Sequence, residues 1–263
     1  MKLRRGALLA PLLLIGLMLA TSLCRWRCAA SDNLGATPQQ LPTALVFMHI
    51  PKTGGTTLNL LLQDYMSELN CARDDLREDG PPLPPGSACT WALALSDHTF
   101  DQRNLLARSA LGLFRRVKLD VLMGHVHFGM CPLLNSCRAR CVHTTVLREP
   151  LARVVSHFTF LMRVAPRVIL DKCAACGDID VFAAALSNGT LSKLYMENLQ
   201  TRIIAGDALW ATLTCDNIDD IAPRADNAML GRAKLNLASD EFGVVGLTEE
   251  LPAYVARLRA FMG

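Results

Sequence analysis

A buried-strand pattern runs directly into a glycine-rich loop between Leu45 and Thr57. Short apolar runs such as Leu45 to Ile50 are typical of strands buried in a parallel sheet. The loop that follows, Pro51-Lys52-Thr53-Gly54-Gly55-Thr56-Thr57, has paired glycines that let backbone N–H groups approach an anion closely. Apolar residues at helical spacing come next, namely Leu58, Leu61, Leu62, Tyr65, Met66 and Leu69. The segment therefore predicts a strand–loop–helix unit with an anion site at the amino end of the helix.

Three further apolar runs have the length of buried strands: Val121 to Met123, Val142 to Leu147 and Gly243 to Leu247. The second of them leads into another helix, where Pro150 occupies the first turn. The apolar stripe of this helix comprises Leu151, Val154, Val155, Phe158 and Met162. Repeated strand–loop–helix units build a parallel sheet covered by helices. We therefore expect a three-layer α/β fold, similar to P-loop proteins, and we expect both helical stripes to be core.

Composition limits the classes of partner. The chain has 263 residues, of which 51% are hydrophobic and 19% are charged, so it can bury a substantial core in one large domain or two small ones. The net charge is only +3, which argues against nucleic acid as a partner. Basic residues do gather locally, and they suit a solvated helical face as well as an anion-binding surface: Arg103, Arg108, Arg115, Arg116, Lys118, Arg138, Arg140 and Arg148.

The amino terminus has the pattern of a membrane anchor. An uncharged run from Ala7 to Leu23 follows three basic residues and is close to the minimum length for a bilayer span. A cleaved signal peptide is the alternative, with Cys28-Ala29-Ala30 as its cleavage site. Arg25-Trp26-Arg27 favours an anchor, since it resembles an interfacial belt. We expect a tail and signal anchor at 1–30, a stem at 31–43 and a luminal domain at 44–263.

The cysteines can be interpreted in two ways. Ten cysteines are present, and the set that suits either a zinc site or disulfides is Cys131, Cys137, Cys141, Cys173 and Cys176. Because the amino terminus indicates the oxidising secretory route, we expect disulfides and no metal. The triplet Asn188-Gly189-Thr190 is a glycosylation acceptor that fits this route.

The loop at Lys52 differs from a Walker A loop. In that loop a Gly-Lys pair is followed by a serine or threonine that binds magnesium. Here Lys52 precedes Gly54 and Gly55. The order disfavours a nucleotide kinase.

The same order, Pro51-Lys52-Thr53-Gly54-Gly55-Thr56-Thr57 after an apolar strand, resembles the 5′-phosphosulfate loop of the Golgi carbohydrate sulfotransferases, in particular the heparan sulfate and uronyl 2-O- and 6-O-enzymes. A second block, Thr145 to Phe158, resembles the family's site for the 3′-phosphate of the donor. In that site a strand-end arginine and a serine on the next helix hold the phosphate, and these positions are Arg148 and Ser156. The spacing suits one pocket, since Ser156 lies about two turns along the helix.

Three more blocks match in the same order: Gly124-His125-Val126, Asn198 to Arg202, and Val244 to Glu249. The resemblance covers Ala44 to about Leu258. It implies a sulfotransferase catalytic domain that uses 3′-phosphoadenosine 5′-phosphosulfate (PAPS) as donor and a glycan or proteoglycan hydroxyl as acceptor. It also implies a single-pass type II protein of the Golgi membrane.

A sulfuryl transfer needs a base and a group that stabilises the leaving oxygen. We expect His125 to be the base, because it follows a strand end and matches the proposed base of the 2-O-sulfotransferases. Met123 replaces their second histidine, and His127 can substitute if the segment is extended. Lys52 is expected to serve both catalysis and donor binding. Gln200 and Arg202 either face the acceptor or lie on a helix surface, and His49 and His157 are interpreted as structural.

Alternatives from other classes share parts of this pattern. A tyrosylprotein or small-molecule sulfotransferase has the same donor site and another acceptor. A non-catalytic protein of the same fold could instead bind an acidic polysaccharide through its basic face. His125→Ala distinguishes an enzyme from a binding protein, since only an enzyme loses turnover while it keeps donor binding.

Overall fold

The computed structural model describes residues 43–74, 86–94, 119–131, 134, 140–171, 173–188, 198–206 and 226–262. The strands are β1 (Ala44–Met48), β2 (Ala72–Asp74), β3 (Thr90–Ala94), β4 (Val121–Gly124), β5 (Cys141–Leu147) and β6 (Phe242–Leu247). The helices are α1 (Gly55–Glu68), α2 (Pro150–Val164), α3 (Arg167–Leu170), α4 (Ile179–Ser187), α5 (Leu199–Ile204), α6 (Asn227–Leu237) and α7 (Leu251–Met262), with a 3₁₀ turn at Thr248–Glu250.

The six strands form one sheet in the order β2-β3-β4-β1-β5-β6, and every neighbouring pair is parallel. This confirms the predicted α/β fold with a central parallel sheet flanked by helices. Four of the strands lie where the apolar runs predict them. Strands β2 and β3 were not predicted from the sequence. β2 has only three residues, two of them charged, whereas β3 contains the apolar run Trp91 to Ala94, which was missed.

Strand β1 shows how the core is divided between the two faces of the sheet. Leu45 and Phe47 belong to a cluster that includes side chains of α1 and α7. Val46 and Met48 belong to a second cluster, which includes side chains of α5 and α6. This alternation follows from the two-residue period of a strand. Helix α1 presents Leu58, Leu62 and Met66 to the first cluster, as its predicted stripe requires. Leu61 of the same stripe is 36% exposed, so the expectation that it is core was wrong.

Strand β1 ends earlier than the apolar run does. Its last residue is Met48, and the backbone N–H of Ile50 turns back to the carbonyl oxygen of Met48 at 3.1 Å. His49 therefore lies in the turn beyond the strand, which corrects the interpretation of His49 as a strand residue.

Helix α2 does not bury its whole apolar stripe. Val154, Phe158 and Met162 pack in a third cluster with residues of α3 and α4. Leu151 and Val155, in contrast, are 66% and 41% exposed. The expectation that the whole stripe is core was wrong for these two residues. Because α2 packs its inner side on α3 and α4, the opposite side is left open as one wall of a cleft.

Three pairs of cysteines lie at disulfide-bonding distance. Their Cα–Cα separations are 4.5 Å for Cys71–Cys89, 5.8 Å for Cys131–Cys141 and 5.3 Å for Cys173–Cys176. Four of the five cysteines that suited either zinc or disulfides are thus in disulfide pairs, and Cys137 lies outside the described residues. Within the ranges given above, no group of three or more His, Cys, Asp or Glu side chains is placed to hold a metal ion.

Several predictions concern segments outside the described residues: the anchor at 1–30, nearly all of the stem at 31–43, the basic residues between 103 and 138, and Gly189 and Thr190 of the glycosylation triplet. In the part of the chain that the structure describes, no helix has both the length and the apolar character needed to cross a membrane.

Candidate active site

The loops that follow three adjacent strands meet at one edge of the sheet. Strand β1 lies between β4 and β5, and its last residue, Met48, is level with Gly124 of β4 and Thr145 of β5. Because all three strands are parallel, the residues beyond their carboxyl ends share that edge. Ligands of open α/β sheets bind in this position. The edge carries the anion loop (residues 51–57), His125 and Arg148.

The backbone of the anion loop is shaped for close approach of a ligand. Lys52 and Gly54 have φ values of 71° and 85°, and a positive φ is uncommon for a residue with a side chain. Gly54 is the N-cap of α1 and gives the helix no side-chain cap. The first N–H groups of an α-helix lack partners inside the helix. They are therefore suited to an anion that enters at this end.

The threonines of the loop differ in their surroundings. The Thr53 side chain is 1% exposed, and its hydroxyl donates to the carbonyl oxygen of Ile50 at 2.9 Å. This hydroxyl stabilises the turn, so Thr53 can offer a ligand only its backbone. Thr56 and Thr57 are exposed at the start of α1.

Helix α2 begins at the same edge, but its amino end is already occupied. The Glu149 carboxylate accepts hydrogen bonds from the backbone N–H groups of Ala152 and Leu151. These two hydrogen bonds hold the pKa of Glu149 below its ordinary value. An external anion therefore finds one of the two helix ends capped by a carboxylate and the other, at α1, without a side-chain cap.

Two side chains outside the loop fix its position. The Thr248 hydroxyl lies 2.9 Å from the carbonyl oxygen of Thr53 and 3.0 Å from that of Leu147, and it donates toward both. The Arg148 guanidinium donates from Nη1 to the carbonyl oxygen of Lys52 at 3.2 Å. The anion loop is thereby tied to the end of β5 at two points.

A cleft of about 680 Å³ opens beside the loop. Lys52 forms one side of it, and the exposed side of α2 forms the other. Arg148 and Ser156 both line this cleft, so the two predicted ligands of a 3′-phosphate border one cavity, as their spacing predicts. The exposed apolar residues Leu151 and Val155 line it as well.

Phe160 contributes an aromatic ring to the cleft, and the sequence analysis did not single it out. The Nζ atom of Lys52 lies 4.1 Å from the centroid of this ring, which is a cation–π contact. Phe160 is four residues after Ser156, so helical periodicity alone places both on one face. That spacing was the signal that could have identified Phe160.

Lys52, Arg148 and Arg163 bring positive charge to the lining of the cleft, and Arg153 and His157 are buried in the helix that forms one of its walls. Burial lowers the pKa of Arg153 to about 10, and burial together with the charges of Arg153 and Lys52 lowers the pKa of His157 to about 4. Burial and the charge of Arg148 lower the pKa of Lys52 as well. An anion bound beside Lys52 and Arg148 would offset the repulsion between these two cations.

His125 directly follows β4 and has the protonation state that a base requires. Burial lowers its pKa to about 4, so the imidazole is neutral at neutral pH and can accept a proton. The chain bends at this residue: Gly124 has a φ of 134°, and the Val126 N–H donates to the Gly124 carbonyl oxygen at 2.8 Å. The side chain of His49 lies beside it, with 4.5 Å between the ring centroids.

His127 was predicted to substitute for the missing histidine if its segment were extended. The bend at His125 means that the segment is not extended. The His127 imidazole is 5% exposed, its Nδ1 is 2.6 Å from the carbonyl oxygen of Phe128, and it lies close enough to His143 to lower the pKa of that residue. The condition on which the prediction depended is therefore absent.

Gln200 contacts the strand end that carries Arg148. Its Oε1 accepts from the backbone N–H of Arg148, and its Nε2 donates to the carbonyl oxygen of Arg148, both at 2.9 Å. The amide thus fixes Arg148, while its role toward an acceptor stays a prediction. Arg202, the other predicted acceptor residue, is 7% exposed, and its predicted role stays a prediction too.

Comparison with known proteins adds no family to this geometry. No protein-family model matches the chain, and no curated protein matches it either. Function is therefore inferred from the described residues at the carboxyl edge of the sheet.

Proposed function

We propose that the chain transfers a sulfuryl group from PAPS to a hydroxyl of a polysaccharide or glycan. The observation that carries this proposal is the cleft between the anion loop and α2, which Lys52, Arg148 and Ser156 line together. Lys52, in the loop that leads to the uncapped end of α1, lines the cleft together with the arginine and the serine. Such a site suits a ligand with two separate anionic groups, and PAPS has a 5′-phosphosulfate and a 3′-phosphate.

The donor residues divide between these two groups. Lys52 and the backbone of residues 53–57 bind the 5′-phosphosulfate, with the hydroxyls of Thr56 and Thr57 as further donors. Arg148 and Ser156 bind the 3′-phosphate. The apolar surface of Leu151 and Val155 suits the nucleoside between them. In this proposal the fold is a three-layer arrangement similar to that of P-loop proteins.

The reaction then needs two further actions from the chain. PAPS supplies a sulfuryl group that is activated by its bond to phosphate. His125 accepts the proton of the acceptor hydroxyl while that oxygen forms a new bond to sulfur. Lys52 neutralises the negative charge on the oxygen that bridges sulfur and the 5′-phosphate as that S–O bond breaks. The products are a sulfate ester, adenosine 3′,5′-bisphosphate (PAP) and a proton on His125.

The proposal extends to the compartment. Residues 1–30 anchor the chain as a single-pass type II protein of the Golgi membrane, with the domain at 44–263 in the lumen. Three disulfide pairs and an exposed Asn188 at the end of α4 support a luminal domain.

Asn188 gives a direct test of the compartment. We expect the chain expressed in mammalian cells to lose apparent mass when it is treated with a peptide N-glycosidase, and Asn188→Gln to abolish this loss. Gel mobility measures both. A wild-type chain with no glycosidase-sensitive mass contradicts the luminal assignment.

Transfer of radiolabelled sulfate from PAPS tests the reaction itself. The acceptor panel should contain desulfated glycans and tyrosine peptides, and His125→Ala should be assayed beside the wild type. We expect label on a glycan, and we expect the variant to lose about 100-fold or more of this activity, as is typical for loss of a general base, while it binds PAP normally. Label on peptides alone overturns the acceptor. Unchanged turnover in His125→Ala overturns the base, and PAP binding without transfer to any acceptor favours a binding protein.

A further inference from the structure

His49 is a second imidazole at the ligand edge of the sheet, and it lies beneath the first turn of α1. Its backbone N–H donates to the carbonyl oxygen of Gly124 at 2.7 Å, and its side chain is 7% exposed. A β-carbon added to Gly55 would overlap the Cδ2–Nε2 edge of this ring. Position 55 therefore has room only for glycine, because the imidazole occupies the space where the helix begins.

Asn59 determines which nitrogen of this ring carries the proton. Its amide Nδ2 is 3.2 Å from Nδ1 of His49, and its side chain is 5% exposed. An amide nitrogen can only donate, so Nδ1 accepts and the proton of the neutral ring is on Nε2. Nε2 makes no hydrogen bond within the part of the chain that the structure describes. It is therefore an N–H donor beside the first residue of α1.

His143 shows the opposite arrangement and serves as an internal comparison. Its Nε2 accepts from the backbone N–H groups of Gly129 and Met130 at 3.1 and 3.2 Å. Its Nδ1 donates to the carbonyl oxygen of Glu241 at 3.2 Å. Both nitrogens of His143 bond to the backbone, which is the pattern of a structural histidine. His49 uses one nitrogen on Asn59 and presents the other at the ligand edge.

The charge state of His49 suits an anion site that already contains a lysine. Burial, the neighbouring His125 and the charge of Lys52 lower the pKa of His49 to about 3. The ring is therefore neutral at physiological pH. A neutral N–H can bind an anion without adding to the repulsion between the cations of the cleft.

We propose that His49 donates its Nε2–H to the anion held by residues 51–57, and that Asn59 positions His49 by fixing this tautomer. His49 is then a donor-binding residue and not a second base, since its free nitrogen carries the proton. The inference rests on the proposed function for the identity of the anion, which is the 5′-phosphosulfate of PAPS or the 5′-phosphate of PAP. His49 therefore does not take the role of the second histidine of the 2-O-sulfotransferases, which Met123 replaces in this chain.

Nitrogen-15 NMR of histidine side chains in the luminal domain tests this inference at neutral pH. The wild type should show His49 as the Nε2–H tautomer and His143 as the Nδ1–H tautomer. PAP, and in a separate titration inorganic pyrophosphate, should shift the His49 resonances and leave those of His143 in place. Asn59→Asp should move the proton of His49 to Nδ1, because a carboxylate accepts from it. This variant should bind PAP about 10- to 100-fold more weakly, as expected for loss of a hydrogen bond to a charged group.

The outcomes separate this inference from the proposed function. If pyrophosphate shifts the His49 resonances but PAP does not bind, PAPS is not the donor, and the proposed role of His49 is still supported. If PAP binds equally well to the wild type and to His49→Phe, the inference falls and the donor site stands. If His49→Phe does not fold, the wild-type spectrum still decides. An Nδ1–H tautomer at His49, or resonances that neither anion shifts, overturns the inference.

Discussion

Arg148 is the residue at which the parts of the candidate site are joined. Gln200 holds its backbone through two hydrogen bonds of 2.9 Å, and its guanidinium holds the carbonyl oxygen of Lys52 at 3.2 Å. One residue thus connects helix α5, the end of β5 and the anion loop. Because its backbone is fixed, Arg148 presents its charge to the cleft at little further entropic cost.

Ser156 offers the cleaner substitution for a test of the 3′-phosphate site, since its hydroxyl bonds to no other residue that the structure describes. We expect Ser156→Ala to weaken PAP binding about 5- to 10-fold, the usual effect of losing one hydrogen bond, and to leave the binding of AMP unchanged, because AMP has no 3′-phosphate. Thr159→Val is the matched control. The Thr159 hydroxyl lines the same cleft but donates to the Val155 carbonyl oxygen at 2.9 Å. In calorimetric titrations, Ser156→Ala should weaken the binding of PAP alone, and Thr159→Val should weaken the binding of neither nucleotide. Equal losses of affinity for PAP and AMP in Ser156→Ala would contradict the assignment.

At the scale of elements, the start of α1 combines an uncapped helix end with a buried ring beneath it. Gly55 is the first residue of that helix, and the His49 imidazole fills the place of its side chain. The start of α1 therefore requires glycine at position 55, because the position of the His49 ring requires that no side chain is present there. Helix α2 has no such arrangement, because Glu149 caps it.

We expect Gly55→Ala to destabilise the fold by about 1–3 kcal/mol, because the added methyl group forces the His49 ring from its place. Gly231→Ala in α6 is the control, since no described residue lies within 4 Å of a β-carbon there. That change should stabilise the protein by about 0.5–1 kcal/mol, through the higher helix propensity of alanine. Urea unfolding measures both free energies. Equal effects of the two substitutions would show that the ring does not occupy the space beside Gly55.

At the scale of the whole molecule, buried neutral histidines link stability to pH. Burial is the largest cause that lowers the pKa of His49 to about 3 and those of His125, His143 and His157 to about 4, from an ordinary value of 6.5. Between pH 6.5 and about 4 the unfolded chain therefore binds more protons than the folded chain. Stability should fall as the pH is lowered through this window, and these groups should contribute no slope above it.

Each of these histidines can contribute up to about 1.4 kcal/mol per pH unit within the window. Urea unfolding at pH 7.5, 6 and 5 measures the total slope. His143→Gln removes one titrating histidine and should therefore make the free energy of unfolding depend less steeply on pH, although it lowers stability at every pH. A free energy of unfolding that stays constant or rises on acidification from pH 6.5 to 5 would contradict these pKa values.

The sequence predicts those features that a local pattern encodes. Strands β1, β4, β5 and β6 follow from apolar runs, and the shared cleft of Arg148 and Ser156 follows from helical spacing. The contacts of Gln200 with Arg148 and of Thr248 with Thr53 could not be predicted, because they join positions 52 and 195 residues apart. The role of His49 was missed for a different reason. The apolar run extends to Ile50, so His49 was interpreted as a residue of the strand, whereas the strand ends at Met48.

The proposed donor site requires that a single cleft holds both anionic ends of the donor nucleotide. A crystal structure of residues 44–263 with PAP tests this directly. We predict the 5′-phosphate at the start of α1, in contact with Lys52 and the Nε2 of His49, and the 3′-phosphate between Arg148 and Ser156. A structure in which PAP binds elsewhere, or in which the 3′-phosphate lies away from Arg148 and Ser156, would contradict the claim.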